Sequence, residues 1–274
     1  MQERSVAILI DGGYFLRRIG GLLEKEDTHN PVIQAKILMR LCYSHLDQLL
    51  GQTRATSKSK LDKTEPENLM RYAYRIFYYD AYPYDGKSHD PVSNQSIDFA
   101  KSDVAKNRLA LFDLLRKKRK FALRLGRTKL DQDWTVDSSL TKPLLRLLLA
   151  RLQSSEPILG QFTPDEIKAF EALKQRWTSL QRPKVKLGIR QKGVDMRIGI
   201  DIASLALKKQ VHTIILVAGD SDFVPAAKLA RREGIDFILD PLWQKVEADL
   251  FEHIDGMQSG LPKPTDPNEL THAN

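Results

Sequence analysis

Short unbroken apolar runs alternate along the chain with stretches in which apolar residues recur every three or four positions. Residues 5–10, SVAILI, are continuous, partly β-branched, and stop at Asp11-Gly12-Gly13. Such a run fits a strand covered on both faces. Residues 72–82, YAYRIFYYDAY, predict a second strand ending near Asp80, and FALRL at 121–125 a third. KVKLGIRQ at 184–191 alternates charged and apolar positions, as a half-exposed strand does. Its likeness to the LRLGRTK segment predicts that the two pair at a sheet edge. TIILVA at 213–218 and IDFIL at 235–239 are further apolar strands.

Between these runs the period is helical. Residues 31–50 open with Pro31 and place Val32, Ala35, Leu38, Met39, Cys42, Leu46 and Leu49 at helical spacing. Residues 98–118 do the same with Val104, Leu109, Phe112 and Leu115. Helices are also predicted over 196–209 and over 224–233, the latter closed by Gly234. The Ser-, Thr- and Lys-rich stretch 51–67 predicts a mobile loop. Residues 131–183 carry two more helical patterns. One is TKPLLRLLLARLQ; the other starts at TPDEI, where Thr163 caps, Pro164 is the first helical residue and Glu166 completes a capping box.

The order strand–helix–strand–helix–strand predicts an α/β fold with a doubly wound, mainly parallel sheet. Residues 131–183 read as a helical insertion within one domain over 1–255, and the polar, Pro-bearing segment 256–274 as a disordered tail. Leu144, Leu145, Leu147, Leu148 and Leu149 surround most of one insertion helix, which predicts burial against something, a protein partner or a second subunit among the possibilities.

Composition narrows the setting. A 42% hydrophobic content over 274 residues supports a sizeable core. The single cysteine, Cys42, excludes an internal disulfide framework and a cysteine-based zinc site. The apolar N-terminal run is too short for a secretory signal, and no stretch reaches the roughly 20 residues that span a bilayer. A cytoplasmic protein without membrane contact is the expectation. The 43 basic residues outnumber the 35 acidic ones, giving +8. The bases run in patches, such as Arg116–Lys120 and Lys184–Lys192, which favours a polyanionic partner.

The acids sit at sharper positions. Asp11 follows the first strand, and Asp220 and Asp222 follow TIILVA in AGDSDF. Doubly wound sheets bind ligands beyond the carboxyl ends of strands, where the strand order reverses. If the TIILVA strand neighbours the first, Asp11 and Asp220 face each other over one crevice. Asp195, in KGVDM, supplies a third carboxylate or caps the helix after it. Asp201 contributes only if that helix turns it to the crevice. Asp222 reads either as a site acid or as the cap of the helix starting near Val224. Clustered carboxylates repel unless a cation neutralises them, and hard divalent ions such as Mg²⁺ or Mn²⁺ suit such oxygens. Gly12 and Gly13 would let backbone approach a ligand closely. Arg190, Lys192 and Arg197 are candidate phosphate contacts, and Tyr14 a candidate base-stacking side chain.

IDGGY, KGVDMRIGIDIASLALKK and TIILVAGDSDFVPAAKLARREGIDFIL together resemble the NYN domain, a PIN-like nuclease family that includes the LabA-like proteins. The resemblance covers the first strand and roughly residues 185–245; it omits the insertion. It implies metal-dependent RNA cleavage, with Asp11, Asp195, Asp220 and Asp222 at the family's acidic positions and Asp201 at a further acidic position. The family often has Asn three residues after its first aspartate, where this chain has Tyr14. A metal-dependent ribonuclease is therefore the leading expectation. A non-catalytic RNA- or protein-binding module that keeps the fold is the alternative. A phosphatase of the haloacid-dehalogenase type would need its DSDFV motif to open the fold. No Gly-x-Gly-x-x-Gly follows the first strand, against a dinucleotide enzyme.

Overall fold

The computed structural model describes residues 5–20, 29–55, 66–153, 162–178 and 185–263. Its strands are β1 Val6–Asp11, β2 Ala73–Ala81, β3 Lys87–His89, β4 Ser96–Asp98, β5 Phe121–Val136, β6 Val185–Lys192, β7 Thr213–Val217, β8 Asp236–Asp240 and β9 Gly256–Met257. Its helices are α1 Gly12–Ile19, α2 Pro31–Ala55, α3 Pro66–Leu69, α4 Asp103–Arg116, α5 Ser138–Gln153, α6 Pro164–Thr178, α7 Val194–Leu207, α8 Val224–Arg232 and α9 Ala248–Glu252. Contacts divide the chain into two compact units, residues 1–86, 99–128 and 191–274, and residues 87–98 and 129–190.

The strand order is β6-β5-β2-β1-β7-β8-β9, and β1 pairs in parallel with both β2 and β7. The doubly wound parallel sheet is thus as the sequence implies, with β5 and β6 adjacent at its edge. The apolar run of β1 is continuous because both of its faces are covered. Val6, Ile8 and Ile10 enter one core with Phe15 of α1, Leu38 of α2 and Phe112 of α4. Ala7 and Leu9 enter a second with Ile198 of α7 and Ala227 of α8. Alternate side chains of a strand point to opposite faces, so one run feeds both layers.

Several elements differ from the sequence reading. β5 continues to Val136, so the predicted insertion starts as strand and turns helical only at Ser138. A β3–β4 hairpin, unforeseen in its charged sequence, turns about the buried Asp90, whose Oδ1 accepts from Val92 and Ser93 amides at 2.8 and 3.0 Å. In α4 the helical period holds, but Val104 and Leu109 face solvent while Ala105, Leu111, Phe112 and Leu115 are buried. α2 runs on to Ala55, into the stretch read as a loop; residues 56–65 lie outside the described residues. The capping box of α6 forms in full: the Thr163 amide donates to Glu166 at 2.8 Å and the Glu166 amide donates to Thr163 Oγ1 at 3.3 Å.

Past residue 255 the chain continues as β9, and residues 258–261 are fastened to α2 and β8. The Gly260 amide donates to Asp240 Oδ2 at 2.9 Å, and Leu261 is buried. Asp240 also holds the fully buried His45 of α2 at 2.8 Å. Residues 264–274 lie outside the described residues.

Candidate functional site

β1 is the strand at which the order reverses, with β2 on one side and β7 on the other. The loops leaving β1 and β7 therefore flank one crevice. Asp11, the last residue of β1, is also the N-cap of α1, its Oδ1 accepting from the Tyr14 amide at 2.9 Å. Cap and site position coincide in this residue. Burial raises the Asp11 carboxyl above its ordinary range, and the charges of Asp195 and Asp80 add to the effect while Arg17 opposes it.

Asp220 caps a short 3₁₀ turn, Ser221–Phe223, by accepting from the Asp222 amide at 3.0 Å. The buried Phe223 anchors that turn, and α8 begins without a side-chain cap. Asp222 is therefore an exposed acid of the turn and not the cap of α8. Asp195 is not a cap either. The N-cap of α7 is Gly193, at φ 78°, and Asp195 lies in the first turn. Asp195 is exposed as a residue, but partial desolvation of its carboxyl raises it first, and then the charges of Asp220 and Asp222. The charges of Asp220 and Asp222 thus reach Asp195 and that of Asp195 reaches Asp11, with Arg17 acting on both Asp11 and Asp195.

Asp201 does not join them. It accepts from Tyr79 Oη at 2.8 Å and from Arg124 Nε at 2.9 Å, and Arg124 lies over the Phe77 ring. Tyr14 is no stacking platform: its ring is buried and its hydroxyl donates to the Pro241 carbonyl at 2.6 Å. Burial pushes its hydroxyl up to about 12. Of the candidate cations, Arg197 is exposed and donates to the Leu125 carbonyl, and Lys192 ends β6. Arg190 lies in the second unit, facing Asp131 at 3.7 Å.

Two features of the crevice escaped the sequence. Asp80 of β2 is fully buried and accepts from Arg108 Nη1 at 2.6 Å, from the Ala81 amide at 2.8 Å and from Gln191 Nε2 at 3.3 Å. Arg108 and Gln191 come from distant segments, so no local pattern announces the network. Arg17 is the second. A Cβ at Gly13 would stand 3.4 Å from Asp11 Oδ1, 3.4 Å from Gln191 Oε1 and 3.5 Å from Arg17 Nη1. Gly13 therefore borders the acids, as a residue approached closely by polar groups. Gly12 has a different reason from the one its place suggested. A Cβ there would lie 2.5 Å from the Tyr78 ring, so the glycine makes room for core packing.

The donors fit a hard divalent ion in kind, since all are carboxylates. Among the described residues no three of His, Cys, Asp and Glu come together closely enough to cage an ion. An ion here would take one or two protein carboxylates and complete its shell with water and phosphate oxygens, the arrangement Mg²⁺ favours.

A large, mainly parallel α/β sheet with helices is consistent with the fold of a PIN-like NYN domain. The model of the NYN domain matches residues 148–248, and NYN domains belong to the PIN-like superfamily. The matched stretch contains Asp195, Asp201, Asp220 and Asp222; Asp11 and Asp80 lie before it. No curated protein and no solved structure matches the chain. The NYN match points to a nuclease-like, ribonuclease function, in a family whose nucleases are generally dependent on a divalent metal. No helix among the described residues is long and apolar enough to cross a membrane.

Proposed function

We propose that this chain hydrolyses RNA phosphodiesters with the help of a divalent ion, Mg²⁺ or Mn²⁺, at the crevice between the ends of β1 and β7. The observation that carries the reading is that Asp11 ends β1 and Asp220 and Asp222 follow the neighbouring β7, with Asp195 raised by the charges of Asp220 and Asp222 and raising Asp11 in turn. Carboxylates gathered in this way repel one another unless a cation neutralises them.

Asp11 and Asp220 are the proposed ion-holding carboxylates. Each has one oxygen already oriented by a backbone amide, so each is held in place before substrate arrives. Asp195 and Asp222, both exposed, complete the set directly or through water. The ion would supply charge neutralisation at the scissile phosphate and a lowered pKa for the attacking water. Asp195 would accept that water's proton as it attacks phosphorus in line. Arg17, whose charge acts on both Asp11 and Asp195, would offer a guanidinium to the phosphate, and Lys192 and Arg197 would extend the cationic path.

The test is incubation of the purified chain with labelled single-stranded and structured RNAs in Mg²⁺, Mn²⁺ or EDTA. Asp11→Asn and Asp220→Asn variants, shown to be folded, run beside it. Metal-dependent cleavage lost in both supports the reading; cleavage retained in both sinks it. A second reading is a binding module that keeps the fold without cleaving. It draws on Tyr14, whose side chain is committed to the core where the family often has Asn, and on the lack of a three-ligand cage among the described residues. RNA binding by the wild type with no cleavage in any metal would favour it.

A further inference from the structure

Gln191, the last residue but one of β6, is exposed, yet its amide is not free to turn. Its Nε2 donates to Oδ1 of Asp80 at 3.3 Å. Asp80 is fully buried near the end of β2, and Arg108 Nη1 reaches both of its oxygens, at 2.6 and 2.5 Å. A carboxylate held against a guanidinium accepts hydrogen bonds and donates none. The amide therefore presents its NH₂ group to Asp80 and turns its oxygen the other way. Oε1 stands 3.4 Å from the point where a Cβ of Gly13 would lie, a point that Asp11 Oδ1 approaches to 3.4 Å and Arg17 Nη1 to 3.5 Å. Gly13 puts no side chain into the space these three groups share. Among the described residues Oε1 has no hydrogen-bond partner. A buried ion pair thus fixes an unused acceptor beside Asp11.

An acceptor holds a donor. Phosphate oxygens only accept, so the sugar–phosphate backbone of a nucleic acid has one group to offer Oε1. That group is the ribose 2′-hydroxyl, which donates as well as accepts and which DNA lacks. Place separates the ribose from the ion. The proposed ion lies between Asp11 and Asp220, on the β7 side of β1, whereas Gln191 is held by Asp80 of β2, the strand on the other side. We propose, on the reading of the crevice as an RNA site, that Gln191 selects RNA over DNA. Its Oε1 accepts a hydrogen bond from the 2′-hydroxyl of a nucleotide next to the phosphate at Arg17. Asp80 and Arg108 are positioning residues that hold the amide in that sense.

The test changes substrate and protein together, on the full chain. Wild type and Gln191→Leu meet one single-stranded sequence made as RNA, as DNA, and as RNA with a single 2′-deoxy nucleotide moved position by position. Affinity is read in EDTA, and kcat/KM in Mg²⁺ or Mn²⁺. The wild type favours RNA over DNA by at least ~10-fold, and one 2′-deoxy position accounts for most of that preference. Gln191→Leu abolishes the preference and binds DNA as the wild type does. The side chain is exposed and Asp80 keeps Arg108 and the Ala81 amide, so the variant folds, as circular dichroism checks. An equal loss on RNA and DNA, which a structural role or an ion-bound water at Oε1 would produce, overturns the proposal. So does a deoxy series with no sensitive position, or a preference that follows the base and not its 2′-group. Absent cleavage with a Gln191-dependent preference in binding removes the hydrolase reading and leaves this one standing. Cleavage with a preference untouched by Gln191→Leu does the reverse, and no binding of either nucleic acid overturns both.

Discussion

At the scale of single residues the crevice carries two kinds of acid. Asp11 and Asp195 are raised mainly by burial and then by like charges, whereas Asp80 is buried against a cation. Asp11→Asn should remove cleavage by at least about 100-fold. It should also raise stability in EDTA, since Asn caps a helix as well as Asp. The sign follows from the raised pKa. Well below the ordinary 3.8 the carboxyl is neutral in folded and unfolded chains alike. As pH climbs past 3.8 and through the raised value, the folded state bears an ionised group it disfavours, so wild-type stability falls relative to the variant. Melting temperatures from acid to neutral pH should show a gap that opens with pH; a constant gap would refute the account.

Asp80 behaves oppositely on substitution of its partner. Arg108→Met leaves a fully buried carboxylate without its guanidinium and should cost about 3–5 kcal/mol in urea titrations at neutral pH. Burial raises Asp80 even with Arg108 present. Protonation therefore relieves the variant, and the loss should shrink as pH falls. A loss of the same size at every pH would place the damage in packing.

Elements show which local signals are strong enough to act alone. The capping box of α6 formed as its four residues dictate, because both of its hydrogen bonds are made within one turn. Thr163→Ala should cost about 1 kcal/mol of local helix stability, visible as faster amide exchange confined to the start of α6. The helix registers of α4 and α7 were less secure. Helical period marks a stripe, but burial depends on the sheet beneath it, so Val104 and Leu109 ended in solvent. Asp195 shifted from cap to first turn because Gly193, not a side-chain oxygen, enters the helix.

For the molecule as a whole, the excess of base over acid sits with an acidic crevice. Binding of RNA should rest on phosphate contacts, so log K should fall linearly with log salt. Arg17→Gln should weaken binding of all sequences and make that slope shallower by about 0.7 if the guanidinium meets one phosphate of a single strand. An unchanged slope would remove Arg17 from the phosphate path. The doubly wound class could be read before any coordinates, since alternating apolar runs and helical stripes admit few other layers, but the strand order could not.

The sequence by itself determined the longer strands of the main sheet, most of the helices and the acids that follow β1 and β7, because those features rest on neighbours within a few residues. The adjacency of β1 and β7 needed the sheet, and with it came the effect of Asp195 on Asp11 and of Asp220 and Asp222 on Asp195. Only tertiary structure could join Asp80 to Arg108 and Gln191, bond Tyr14 to Pro241, or draw Asp201 away to Arg124. It likewise fastened His45 to Asp240, residues 195 positions apart. A side chain's chemistry is written locally, but its partner is chosen by which surfaces the packed sheet brings within hydrogen-bond reach.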